Sequence, residues 1–134
     1  MNTTSFLLLR LAIGASMLGH GLVRLPKLKG FSNWMVTSFE KSMLSATIVK
    51  PFSYALPLVE FVIGLLLMLG LFIRPTLVAG SIVMIMLILG TTLIENWEAL
   101  PSQLIHVAFF ALLLHYAASN TYSLDNVFFE KLVM

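Results

Sequence analysis

Several ionisable side chains stand inside long apolar stretches of this sequence, and four of them are candidates for a functional site: two histidines and a glutamate, which can transfer protons, and an arginine, which stays charged. These four are Arg10, His20, Glu60 and His106. A charge at bilayer depth costs about 2.5–3.5 kcal/mol on insertion scales, so such side chains usually face a protein interior and meet a partner. A histidine beside a carboxylate is a common arrangement for proton transfer. The pattern predicts a site that handles protons or binds a quinone head, with Glu60 and His20 as candidate catalytic residues.

A purely structural interpretation of the same residues stays open. A buried hydrogen bond between His20 and Glu60 would hold two helices together, typically with about 0.6–2 kcal/mol. Arg10 would then snorkel to the nearer membrane surface, with a structural pair or an anion site as the alternatives. His115 is interpreted as an interfacial histidine.

Composition restricts the class of protein. The chain has 134 residues, of which 59% are hydrophobic and 10% are charged, whereas a soluble domain carries about 25% charge. Lipid is the solvent that suits such a surface. The net charge of +2 is too small to predict nucleic-acid binding. The absence of cysteine excludes disulfides, thiolate metal sites and dithiol redox chemistry carried by this sequence itself.

The hydropathy pattern predicts an all-α membrane protein with one domain over residues 1–134 and four spanning helices. A spanning helix needs about 20 mainly apolar residues. Breaks are expected at Arg74-Pro75 and at the polar residues 95–98. The predicted spans, which form one four-helix transmembrane bundle, are about 5–25, 52–73, 75–94 and 102–118.

The longest connection, residues 26–50, mixes aromatic and polar side chains. This pattern predicts an amphipathic helix lying in the membrane interface, with a soluble loop as the alternative. The tail, residues 120–134, is expected to form a short interfacial helix. Basic residues concentrate in the first connection, so the positive-inside rule predicts that it faces the cytoplasm and that both termini lie outside.

Helix geometry predicts the depth of each polar residue. His20, Glu60 and His106 share one layer, whereas Arg10 lies about 15 Å from His20 along the first helix. Gly14 and Gly21 fall along one stripe of this helix with Arg10, Met17 and Arg24, and the two glycines would let another helix or a ligand approach closely. A haem held by His20 and His106, or a metal held by these two and Glu60, is geometrically allowed. Two histidines in an apolar bundle are a weak signal for either, so haem and metal are not expected.

The order of motifs resembles the DoxX family of small bacterial membrane proteins. The first helix reads RLAIG from Arg10 and HGLVR from His20, and the second reads EFVIGLLLMLGLFIR from Glu60 to Arg74. Arg24 stands where the family commonly has lysine. The matching positions are Arg10, Gly14, His20, Gly21, Glu60, Gly64, Gly70 and Arg74.

The resemblance implies a four-helix bundle in the bacterial inner membrane and a link to redox work. Relatives include a subunit type of thiosulfate:quinone oxidoreductase and members associated with thiol and oxidative-stress systems. One hypothesis is therefore a quinone-associated membrane subunit, acting near Arg10, His20, Glu60 and His106, beside a partner subunit that carries the redox cofactor. The other is a non-catalytic anchor or a small-solute carrier. A homo-oligomer is compatible with both.

Overall fold

The computed structural model describes residues 1–133, with side chains described as far as Phe129, and this part of the chain is all-helical. Short 3-10 turns follow α1 and α5, at Leu25–Lys27 and Ala117–Ser119. The helices are α1 (Thr3–Arg24), α2 (Leu28–Ser38), α3 (Ala46–Leu69), α4 (Ile73–Leu93), α5 (Leu100–His115) and α6 (Leu124–Val133).

Three of these helices, α1, α3 and α4, are long and apolar enough to cross a membrane, whereas α5 is equally apolar but has only 16 residues. The outward faces carry large apolar side chains. Leu58, Ile85, Leu89 and Leu104 are each more than half exposed. A surface of this kind is stable in lipid and unfavourable in water. The four predicted apolar stretches therefore correspond to α1, α3, α4 and α5.

The boundary between the second and third apolar helices differs from the prediction. α3 begins at Ala46, includes Pro51, and ends at Leu69, so the break lies at residues 70–72 and not at Arg74-Pro75. Gly70 ends α3 because its backbone is left-handed, with φ of 67°, a conformation that glycine adopts without strain.

The start of α4 is stabilised by a residue from the far end of the chain. The Asp125 carboxylate accepts hydrogen bonds from the backbone N–H groups of Phe72, at 2.6 Å, and Ile73, at 2.8 Å. The first N–H groups of a helix lack partners within it, so this contact explains why α4 begins at Ile73.

α1 packs chiefly on α3, in an antiparallel pair that depends on glycines. A Cβ atom at Gly21 would lie 2.6 Å from the backbone nitrogen of Phe61, and one at Gly64 would overlap the backbone of Leu18. The close approach expected at Gly14 is also confirmed, since its backbone lies against Leu67. Small residues are what allow membrane helices to approach this closely.

Two clusters of buried apolar side chains fill the fold. The larger joins α1, α3, α4 and α5, with Phe6, Leu67, Leu77 and Phe110 almost fully buried. The smaller lies beneath α2 and includes Met35 of that helix.

The two shorter predicted helices are also present. An amphipathic α2 exists in the first connection, packs on α3, and is joined to it by a buried hydrogen bond between Ser32 and Ser53. The predicted helix in the tail corresponds to α6, while Met134 lies outside the described residues.

Candidate functional site

A cavity of about 440 Å³ lies between α1, α2, α3, α4 and α5. Its walls are mainly apolar and include Met17, Met35, Leu56, Met84 and Leu87. Ligand sites are commonly apolar cavities of about 300–1,000 Å³ with a few polar groups that fix the orientation of the ligand. The polar groups in this cavity therefore decide what it can bind.

Glu60 and Arg24 form the central polar pair of the cavity. The Arg24 Nη1 atom donates to both carboxylate oxygens of Glu60, at 3.1 and 3.0 Å. The Glu60 side chain is 3% exposed and that of Arg24 is 29% exposed. A carboxylate at this depth is stable because a cation neutralises it. The pair joins the end of α1 to the middle of α3.

Arg24 also contacts α2. Its guanidinium carbon lies 4.6 Å above the centre of the Phe31 ring, which is a cation–π contact. Phe31 stacks on Trp34, and both rings line the cavity. One arginine thus connects α1, α2 and α3 at the polar end of the cavity.

His20 lines the cavity beside this pair but does not bond to Glu60. Its Nδ1 atom lies 2.6 Å from the carbonyl oxygen of Ser16. A carbonyl oxygen only accepts, so Nδ1 carries the proton and the Nε2 atom of the neutral ring has a free lone pair. The structural interpretation that His20 holds α3 through Glu60 is therefore wrong, because Arg24 is the partner of that carboxylate.

His106 comes from α5 and faces His20 edge-on, with 6.3 Å between the ring centres. Both of its ring nitrogens are engaged. Nδ1 contacts the Ser102 carbonyl oxygen at 2.7 Å, and Nε2 contacts the Ser16 hydroxyl at 2.9 Å. His106 therefore holds α5 against α1.

These contacts do not suit metal ligation. A ligating histidine needs one ring nitrogen free for the metal, and His106 has none. Within the described residues, no group of three metal-ligating side chains lies close together.

Gln103 supplies a further polar group one turn from His106. Its amide nitrogen donates to the Thr91 hydroxyl of α4 at 2.8 Å. Its other terminal atom, Oε1, is buried and has no hydrogen-bond partner among the described residues. Both side chains line the cavity, which thus has polar groups on the α4 and α5 side as well.

Arg10 belongs to a different part of the molecule. Its guanidinium is buried and donates to Asn120 Oδ1 at 2.6 Å. Asn120 in turn lies close to the Gly70 carbonyl, with 3.5 Å between nitrogen and oxygen. Arg10 does not line the cavity. It connects α1 with the break between α3 and α4 and with the tail. This contact corresponds to the structural pair that was the alternative to snorkelling, and Arg10 does not lie beside His20.

The structure therefore brings together three of the four predicted site residues. His20, Glu60 and His106 line one cavity, as their predicted shared layer requires, and Arg10 lies elsewhere. Arg24 was not predicted as the partner of Glu60. The available signal was its position on the same stripe of α1 as Gly14 and Gly21, the glycines that face α3.

A chain with several long apolar helices and an outward apolar surface is a multi-pass membrane protein. The family model of DoxX matches residues 5–96, and the chain belongs to the DoxX family. This match confirms the resemblance seen in the motifs and extends through α1, α2, α3 and α4. The chain has no significant match among curated proteins or solved structures.

Proposed function

We propose that this protein is a membrane subunit of a quinone-linked redox complex, and that its cavity binds the quinone ring. The observation that carries the proposal is the buried pair of Glu60 and Arg24 beside His20, at one end of an apolar cavity of about 440 Å³. A quinone combines a flat apolar ring with polar oxygens, and it takes up two protons with two electrons. Both features suit this combination of walls and polar groups.

Each polar side chain has a distinct part in the proposal. Arg24 and Glu60 orient the polar head, because the pair is rigidly connected to α1, α2 and α3. His20 exchanges protons through Nε2, the atom left free by its bond to Ser16. His106 maintains the distance between α5 and α1. A partner subunit carries the redox cofactor that supplies the electrons, and any thiol chemistry belongs to that partner because this chain contains no cysteine.

We also propose the membrane arrangement. α1, α3, α4 and α5 cross the bilayer of a bacterial inner membrane, with α5 spanning about 24 Å and extended by the turn that follows it. α2 lies in the interface, where its Trp34 side chain is 57% exposed. The basic residues of the first connection, including the exposed Lys27 and Lys29, face the cytoplasm.

Native mass spectrometry of the protein, extracted gently from its own membrane, tests this proposal. A bound quinone or quinol, together with a co-extracted redox subunit, is the expected result. A bare chain or a homo-oligomer carrying only phospholipid would contradict it and favour an anchor or a carrier. Glu60→Gln should then abolish quinone-dependent turnover of the complex while the subunits still assemble. His115→Phe, which changes a histidine outside the cavity, serves as the matched control.

A further inference from the structure

We propose that the cavity prefers ligands whose polar head donates hydrogen bonds, with His20 Nε2 accepting one of them, so that it binds a quinol more tightly than the matching quinone. This inference rests on the proposed function, since it takes a quinone-type ring as the ligand, and it adds the redox form that the site selects. The argument depends on which polar atoms of the cavity are already engaged.

The Glu60 carboxylate can accept more hydrogen bonds than the described side chains donate to it. An ionised carboxylate has about four lone-pair positions and no donor. A single atom, Arg24 Nη1, contacts both of its oxygens, and no other side chain in the described range donates to them. The carboxylate is buried and lines the cavity. Buried acceptors are normally paired, so a donor on the ligand would complete its hydrogen bonds.

His20 provides a second acceptor on the same side of the cavity. The Ser16 carbonyl fixes the proton of the neutral ring on Nδ1, and Nε2 makes no hydrogen bond to the described part of the chain. A hydroxyl proton on a ligand can therefore be donated to this nitrogen. The two acceptors come from neighbouring helices, α1 and α3, which are in close contact.

Two of the donor atoms at this end of the cavity, Arg24 Nη1 and His106 Nδ1, are already engaged. Arg24 is the one lysine or arginine among the described lining residues, and it is held by Glu60 and by the ring of Phe31. The Nδ1 proton of His106 is donated to the Ser102 carbonyl. A quinone oxygen only accepts, so it could use only the remaining N–H groups of Arg24 and would leave Glu60 and His20 Nε2 without a donor. A quinol hydroxyl donates and leaves the pair of Arg24 and Glu60 intact.

Two redox-inert probes test the preference for ligands that donate a hydrogen bond. The protein in lipid nanodiscs is titrated by calorimetry with a 4-alkylphenol and with its methyl ether, and protein-free nanodiscs correct for partition into lipid. The phenol should bind about tenfold more tightly, which is the effect of roughly one net hydrogen bond. A short-chain ubiquinol, titrated without oxygen, should exceed the matching ubiquinone by a similar factor.

Two variants connect the preference to the proposed acceptor. His20→Phe should reduce the ratio of phenol to ether affinity to near unity, and His115→Phe should leave the tenfold ratio unchanged. His20 is exposed, so its replacement is compatible with folding. The ratio of two affinities does not respond to a general loosening of the fold. A preserved ratio in His20→Phe would overturn the assignment of Nε2 as the acceptor.

The results also separate this inference from the proposed function. Equal binding of quinol and quinone, or tighter binding of the quinone, would overturn the donor preference and leave a quinone site in place. Binding of the phenol but of neither quinol nor quinone would support the donor preference and contradict the quinone-linked function. Binding of none of the four probes would overturn both.

Discussion

Arg24 Nη1 lies 3.1 Å from Oε1 and 3.0 Å from Oε2 of Glu60, so one guanidinium nitrogen bridges α1 and α3 beside the cavity. The two residues are unequal partners, because Glu60 is almost fully buried whereas Arg24 reaches the surface. This asymmetry determines how the protein responds when either residue is replaced.

Replacing Arg24 should destabilise the fold more than replacing Glu60. Arg24→Leu leaves a buried carboxylate without its cation, and we expect a loss of about 2 kcal/mol in the free energy of unfolding. That is below the 3–5 kcal/mol of fully buried pairs because the guanidinium is partly exposed. Glu60→Leu should cost less than half as much, since Arg24 can then extend to the surface. Reversible unfolding in detergent measures both.

The matched control for this charge pair is Lys29→Leu, which removes an exposed cation from α2. It should change the free energy of unfolding by less than 0.5 kcal/mol, as is usual for surface positions, where changes stay within about that range. If Arg24→Leu behaved like Lys29→Leu, the pair would contribute nothing to stability.

Packing between α1 and α3 should be sensitive to a single methyl group at Gly64. Its Cβ atom would overlap the backbone of Leu18, which cannot move without separating the helices. We expect Gly64→Ala to cost about 1–3 kcal/mol, the usual effect of overpacking. Gly19→Ala is the control, because apart from its chain neighbours and the adjacent backbone of its own helix no described atom lies within 4 Å of the added methyl group. It should be neutral or slightly stabilising, as alanine favours helix. Thermal unfolding of the two variants side by side tests this, and equal stabilities would contradict the predicted overlap at Gly64.

The cap that Asp125 provides to α4 should contribute about 1–2 kcal/mol to the free energy of unfolding. Asp125→Ala removes both acceptors from the Phe72 and Ile73 N–H groups, and loss of a side-chain cap usually costs this much. Hydrogen exchange at these two amides should increase at the same time. Asn126→Ala is the neighbouring control, since the Asn126 side chain makes no hydrogen bond in the described part of the chain. Unchanged exchange in Asp125→Ala would show that the cap has no effect.

Replacing Arg10 should lower stability without changing ligand affinity, and replacing His20 should lower ligand affinity without changing stability. Arg10→Met leaves Asn120 Oδ1 buried without a donor, and we expect a loss of about 1–3 kcal/mol of stability. The affinity for an alkylphenol should stay unchanged, because Arg10 does not line the cavity. His20→Phe should weaken alkylphenol binding and leave the stability unchanged. Calorimetric titration and unfolding of the same preparations test this, and weaker binding in folded Arg10→Met would assign it to the site.

Much of the fold could be predicted because the signals are local. Four apolar stretches, the polar break before α5 and the amphipathic character of α2 depend on residues near one another in the chain, and helix formation responds to the same short range. The spacing of residues along a helix also predicted that His20, Glu60 and His106 lie at one depth. Gly14 and Gly21 indicated the face of α1 that contacts another helix.

The remaining features depend on residues that are far apart in the sequence. Arg24 pairs with Glu60 across 36 positions, Asp125 caps a helix that begins 52 residues earlier, and Arg10 meets Asn120 across 110 positions. Whether Glu60 would bond to histidine or arginine depended on the rotation of α1 against α3, which the glycine contacts determine. Composition and hydropathy thus define a membrane-helix protein, while the packing of its helices decides which polar groups meet in the cavity and which only connect the chain.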